Sequence, residues 1–259
     1  MDRTWEEERA GNGSEEAAWR AAGWEPLAPG VARRRLPGWD ATAGVVHGPA
    51  AVLVVDAGSS LREGAGLRTA AERVLGRRVT HLALTHPHFD HVLGAAAFTG
   101  ARIYGAVRMD LMLGGERGRA ALREDAVSHG VDREAAEEAV GLLPRPGHLI
   151  SGDLAVSLGG WREAVLANVG PAHSGHDLAV LVPGRAGAPN VVFCGDLVEE
   201  SGEPQAGPDA VPGQWPAALD RVLDLGGEDA LYVPGHGAVV GAAFVRAQRA
   251  RLASRFGVS

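Results

Sequence analysis

Short apolar runs that end in histidine or aspartate recur along this chain, and few folds accommodate that pattern. Leu53-Val54-Val55 runs into Asp56, Leu82-Ala83-Leu84 into Thr85 and His86, and Val191-Val192-Phe193-Cys194 into Gly195 and Asp196. Leu231-Tyr232-Val233 leads through Pro234 and Gly235 to His236. Apolar runs of roughly four to eight residues, bounded by glycine and proline, have the length of buried strands. Segments with helical spacing lie between them. Leu61 to Leu75 carries its apolar residues at one-turn intervals, Trp215 to Leu225 is amphipathic, and Phe244 to Phe256 is an Arg-rich closing helix. Strands alternating with helices make a layered α/β fold, and such folds gather their functional groups at strand ends. Here those ends carry imidazole and carboxylate.

The densest cluster is Thr85-His86-Pro87-His88-Phe89-Asp90-His91, with three histidines and an aspartate in six residues. On an extended segment His86 and His88 project to the same side. Asp90 and His91 then fall at the turn into a small-residue run, Val92 to Phe98, that reads as helical. Histidine and carboxylate at this density suit zinc, whose bonds to them are about 2.0–2.2 Å. The plainer reading makes Asp90 a helix cap and the histidines loop residues; the density favours metal. Asp56 has two roles open to it. It can cap the helix that begins near Ser60, or it can support a metal-binding histidine.

The totals narrow the field. At 259 residues the chain is long enough for a core of ordinary size, and its 46% hydrophobic and 22% charged residues are those of a globular enzyme. Residues 1–22, acidic and glycine-interrupted, read as a flexible tail or a loose helix, and 23–259 as one domain with a helical insertion at about 105–143. A net charge of -7 leaves no basic footprint for nucleic acid. All 25 basic residues are arginine, which excludes Schiff-base lysine chemistry. Ten histidines against the single Cys194 point to a metal site of imidazole and carboxylate. Cys194, inside an apolar strand, reads as a small buried hydrophobe. The acidic start lacks the apolar core of a signal peptide, and no apolar run approaches the roughly 18 residues of a membrane span. A cytoplasmic protein acting on a small molecule, without nucleic-acid or membrane partner, is expected. Arg33-Arg34-Arg35 reads as a solvated strand edge, and His129 and His148 as isolated surface or core residues. Met109, Leu111, Met112 and Leu113 give the insertion an apolar lip, more readily a packing face than a pocket cover.

Taken together and in order, His86-x-His88-x-Asp90-His91, Gly170-Pro171-x-His173, Gly195-Asp196 and Pro234-Gly235-His236-Gly237 resemble the signature of the metallo-β-lactamase superfamily, over about residues 24–250. The resemblance implies an αββα sandwich with the metal site at one edge. By position, His86, His88 and His173 would hold one metal ion, Asp90, His91 and His236 a second, and Asp196 would bridge them. Asp56 would support the metal-binding loop. His176, in the motif His173-Ser174-Gly175-His176, is the alternative to His173, but the Gly-Pro-x-His start favours His173. Two divalent cations are implied, zinc first, with iron or manganese as alternatives.

The activity implied is a metallo-hydrolase that turns a metal-bridging hydroxide on a small ester, thioester, lactone or related bond, with Asp90 orienting the hydroxide and accepting its proton. Three rivals are weighed. A zinc β-lactamase of one subclass grips the drug's carboxylate with a lysine three residues after its cysteine ligand. Counted from Asp196, that place holds Glu199, next to Glu200. A single-iron sulfur dioxygenase uses a similar ligand set. A non-catalytic binding module is disfavoured by the complete ligand set. Only 23 residues follow His236, so the helical glutathione-binding domain of hydroxyacylglutathione hydrolases is not expected.

Overall fold

A strand that is apolar on both faces needs a packed layer on each side. In the computed structural model, which describes residues 13–258, strand β4 (Val52–Val55) has both layers. Leu53 and Val55 enter the core between two sheets, while Val52 and Val54 face a helical layer, as the two-residue period of a strand requires. The same division runs through the chain and generates four layers.

The first sheet has seven strands in sequence order: β1 (Glu25–Ala28), β2 (Val31–Arg35), β3 (Thr42–His47), β4, β5 (His81–Ala83), β6 (Arg102–Ala106) and β7 (His148–Ile150). Its first four strands form an antiparallel meander and the rest pair parallel. The second has five strands in the order β12-β11-β10-β9-β8. They are β8 (Asp153–Gly159), β9 (Arg162–Asn168), β10 (Leu178–Val182), β11 (Val191–Glu199) and β12 (Leu231–His236). Helix α1 (Leu61–Leu75) covers the outer face of the first sheet. Helices α6 (Trp215–Gly226) and α7 (Ala242–Phe256) cover the second, where Val192, Cys194 and Tyr232 pack against Trp215, Leu219 and Val245. This is the expected αββα sandwich.

Between β5 and β6 lies a one-turn helix α2 (Phe89–Val92), and between β6 and β7 lie α3 (Met109–Gly114), α4 (Glu116–Ser128) and α5 (Arg133–Leu142). These last three are the expected helical insertion, broken where Gly114-Gly115 sits and restarted by Asp132, whose carboxylate caps Ala135 N at 3.0 Å. Two expectations need correction. Val92 to Phe98 forms only a 3₁₀ turn at Ala95–Ala97 rather than a helix. Of the two readings of residues 1–22, the flexible one gives way to the helical one over 13–21, where Trp19 is buried edge-to-face against Trp24; residues 1–12 lie outside the described part. A single tryptophan among acidic residues carried that anchor, which charge composition obscured. Among the described residues no helix is long and apolar enough to cross a membrane.

One close contact fixes the His86–His91 segment to the helical layer. A Cβ on Gly64 of α1 would overlap the carbonyl oxygen of Gly94, and a Cβ on Gly94 would overlap the carbonyl oxygen of Ala57. Backbone thus packs on backbone where the segment turns away from the site. Gly66, two residues along α1, is exposed and has open space around it. Helix propensity alone would make alanine better than glycine at both positions, by about 1 kcal/mol. Gly66→Ala should therefore raise stability by about 0.5–1 kcal/mol, whereas Gly64→Ala should lower it by about 1–3 kcal/mol through overpacking. Denaturant midpoints of the two variants check the opposite signs.

Candidate metal centre

Four strand ends deliver seven side chains to one edge of the sandwich. His86, His88, Asp90 and His91 follow β5, His173 lies in the β9–β10 loop, Asp196 interrupts β11, and His236 ends β12. Their ligating atoms fall into two groups, each within 4.8 Å: His86, His88, His173 and Asp196 in one, Asp90, His91 and His236 in the other. Asp196 lies between them. Its Oδ2 is 3.6 Å from His86 Nε2, 3.5 Å from His173 Nε2 and 3.3 Å from His236 Nε2, and its Oδ1 is 3.1 Å from His91 Nε2. Asp90 Oδ2 is 3.3 Å from His236 Nε2 and 3.6 Å from His91 Nε2. Most of these distances exceed those of a good N–H···O hydrogen bond. They match the roughly 3.3–3.6 Å between neighbouring ligands of a tetrahedral ion with bonds of about 2.0–2.2 Å.

The outward-facing atoms of the histidines explain why the others stay free. His91 Nδ1 is 2.9 Å from Asp56 Oδ2, and His236 Nδ1 is 2.7 Å from the Trp39 carbonyl oxygen. His86 Nδ1 is 2.9 Å from Thr85 Oγ1, which itself donates to Asp56 Oδ2 at 2.8 Å. Each acceptor holds the proton on Nδ1 and leaves a lone pair on Nε2. His88 is reversed: its Nε2 faces Asp209 at 3.1 Å and its Nδ1 faces His173 Nε2 at 2.9 Å. His86 Nε2, His91 Nε2 and Asp196 Oδ1 are buried without a hydrogen-bond partner among the described residues. Buried polar atoms without partners are costly, and a cation among them would satisfy all three.

Charge points the same way. Burial opposes a proton on His91, yet Asp196, Asp90 and Asp56 pull its pKa well above the usual histidine range. Burial likewise opposes a proton on His236, but chiefly Asp196 and then Asp90 raise it to about 11. Burial instead pushes His173 down to about 4 and His86 well below its ordinary value. The cluster therefore demands positive charge beside its carboxylates, while burial keeps His86 and His173 neutral. The donor set fits divalent metal.

Of the two roles open to Asp56, the structure takes the supporting one. Ser60, not Asp56, caps α1 through Glu63 N at 3.2 Å. Asp56 is buried with φ 61°, a left-handed conformation that only a few side chains tolerate. Its oxygens accept from Thr85 N and Thr85 Oγ1, both at 2.8 Å, besides facing His91. His176 turns away from the cluster, with Nδ1 3.1 Å from the Val107 carbonyl oxygen, so His173 is the residue brought in. Asp177 shapes that loop by accepting from Ala172 N at 2.8 Å and Ser174 Oγ at 2.6 Å. Gly235 is required because a Cβ there would overlap Asp196 Oδ1.

A family model described as the metallo-beta-lactamase superfamily matches residues 36–236. The chain belongs to that superfamily. Solved structures with the same fold include the metallo-beta-lactamase FIM-1 from Pseudomonas aeruginosa in a mono-zinc form, at 20% identity, covering 91% of this chain and 96% of that one with a TM-score of 0.66. A metallo-beta-lactamase from Pontibacter korlensis shares 17% identity, with 88% and 97% covered and a TM-score of 0.65. One from Hirschia baltica shares 16%, with 88% and 96% covered and a TM-score of 0.61. At these identities the likeness is one of fold. No curated protein matches.

The superfamily's metallo-hydrolase site opens here onto a cavity of about 690 Å³. The insertion both packs and covers: Met109 and Leu113 are buried in the core, while Met112 and Leu113 line the cavity. His129 is not isolated, since it stacks on Phe89 at 5.3 Å and lines the same cavity. Arg33 is no solvated edge residue. It is buried, bonded to Glu25 and, at 2.8 Å, to the Gly237 carbonyl oxygen beside His236. Asp209 and Trp39 gave no local signal, because each lies in a loop far in sequence from the histidine it holds.

Replacing a group that orients a ligand costs metal affinity without removing the ligand. Asp209→Asn and Asp56→Asn should each weaken metal binding by about 10–100-fold. Competition with a chromogenic chelator measures this, with circular dichroism reporting an unchanged fold for Asp209→Asn.

Proposed function

We propose that this protein hydrolyses a small ester, thioester or lactone with two divalent cations, zinc in the first instance. His86, His88 and His173 would hold one, Asp90, His91 and His236 the other, with Asp196 shared. Such ions, when bound, lower the pKa of a water and polarise a carbonyl oxygen. The observation that carries the reading is the meeting of two ligand groups on Asp196 at the floor of a substrate-sized cavity. A one-iron sulfur dioxygenase uses a similar ligand set, and iron content with oxygen uptake on a persulfide would favour it over hydrolysis.

Asp90 belongs both to the cluster and to the cavity lining. Burial pushes its carboxyl up, but His91 and then His236 hold it below the usual carboxylate range. It is thus ionised at neutral pH and able to orient an attacking water and take its proton. The nearby thiol serves no such role: Cys194 is buried in β11, and burial pushes its pKa up, keeping it protonated. The excess of acidic residues supports an enzyme working on small molecules rather than on nucleic acid or an anionic membrane surface, and the enzyme is read as cytoplasmic.

Purified protein should carry about two equivalents of divalent metal per chain. It should hydrolyse members of a panel of thioesters, lactones and esters, and should lose that activity on chelation. His86→Ala and Asp196→Ala should abolish hydrolysis in protein that still melts cooperatively; full activity in either variant would rule the reading out. Asp90→Asn should lower kcat by about 10²–10⁴-fold. A chromogenic cephalosporin in the same panel tests the β-lactamase alternative, for which turnover should be poor.

A further inference from the structure

We propose that the cavity takes a substrate bearing a positive charge, an ammonium group on an apolar chain; this deepens, and rests on, the hydrolase reading. The chain has 25 basic residues, all arginine, and among the described residues none lines the cavity. Carboxylates line it from several elements. Asp90, Asp196 and Asp209 are engaged with the histidine cluster. Three more remain: Asp125 on α4, Glu199 at the end of β11, and Glu203 in the loop beyond it.

Two of these are partly answered. Asp125 Oδ1 lies 3.3 Å from His129 Nδ1, and Glu203 Oε2 lies 3.9 Å from Arg255 Nη1. Glu199 is different. It is only 9% exposed, yet it makes no ion pair with any described residue. Its Oε1 accepts from Ser201 N at 3.0 Å and from Ser201 Oγ at 2.5 Å, while Oε2 has no hydrogen-bond partner among the described residues and the side chain borders the cavity. That oxygen faces the cavity with no cation beside it, and a bound ammonium would pair with it through a charge-assisted hydrogen bond.

The rest of the wall suits an ammonium with a hydrocarbon chain. Met112, Leu113 and Leu122 provide an apolar side. Trp39 and Phe89, both lining residues, meet edge-to-face at 5.2 Å, and aromatic faces attract cations. Trp39 and Glu199 flank the same ligand. The Trp39 carbonyl oxygen faces His236 Nδ1, and Glu199 pairs with His236 between β11 and β12. Away from the metal ions the floor would hold, an anionic group against this wall would meet the unpaired Glu199 and no arginine, a penalty that selects against it there.

The test pairs esters that differ in one group. With metal-loaded protein, kcat/KM for phenyl 6-aminohexanoate should exceed that for phenyl 6-hydroxyhexanoate by about tenfold, the scale of one charge-assisted hydrogen bond. In Glu199→Gln, which keeps the acceptor for Ser201, that preference should fall severalfold. Titration calorimetry with 4-phenylbutylammonium and 4-phenylbutanol gives the same comparison without turnover. Should Glu199→Gln melt early, Glu199→Ser, a smaller neutral side chain at the same place, carries the test. Hydrolysis with no preference for the cationic ester, or a preference untouched by these variants, overturns the charge class and leaves the hydrolase reading standing. No hydrolysis of any ester, with ammonium binding that is stronger than alcohol binding and weakened in Glu199→Gln, removes the hydrolase reading and keeps the charge class. Neither hydrolysis nor a binding preference removes both.

Discussion

The carboxylate of Asp56 is the joint on which the site turns. It ends a strand buried on both faces, so it cannot move without disturbing the sheet. One oxygen takes the backbone N–H that leads into His86, and the other meets the Thr85 hydroxyl and His91 Nδ1. A single charged group thereby sets the start of the His86–His91 segment, the tautomer of its last histidine and, through Thr85, that of its first. Desolvating such a group is expensive, and its bonds to this one segment are what offset the cost. The left-handed backbone at Asp56 belongs to the same arrangement, since conformations of this kind persist only where surrounding contacts over-determine them.

Around that joint the two sheets divide the work. The first supplies four members of the cluster from one continuous stretch, whose positions are coupled through a single turn. The second supplies His173, Asp196 and His236 from three separate strand ends. Leu178 N donates to the Thr85 carbonyl oxygen at 2.7 Å, which pins the two contributions to each other across the sandwich. Local devices then aim each group: Asp177 folds the His173 loop, the absent side chain at Gly235 makes room for Asp196, and Arg33 holds the backbone after His236.

Much of this was legible in the sequence because the governing signals are short in range. A buried strand declares itself by an apolar run, and a ligand declares itself by ending one, so β4, β5, β11 and β12 and the groups they deliver could be read directly. His173 could be preferred over His176 on its Gly170-Pro171 lead, and the reading of Cys194 as a buried residue followed from its neighbours. What escaped depends on contacts between distant segments. Asp209 reaches His88 across 121 positions, and Trp39 reaches His236 across 197. Neither carries a pattern of its own. Arg33 looked solvent-facing because composition cannot tell a strand edge from a strand that another covers, and β1 covers β2. Trp19 went unread for the reverse reason: one apolar ring anchors a segment whose average is acidic. His129 became a cavity residue only once α4 was laid against α2, which periodicity cannot show.

The placement of α3, α4 and α5 has a consequence for how such a protein can change. They are spliced between β6 and β7, outside every segment of the histidine–aspartate cluster, and two of them, α3 and α4, form one bank of the cavity. Chemistry and selectivity are therefore written in separable stretches of the chain. The cavity-facing positions of α3 and α4 can change without touching the histidine–aspartate cluster, provided the faces that fill the core stay apolar.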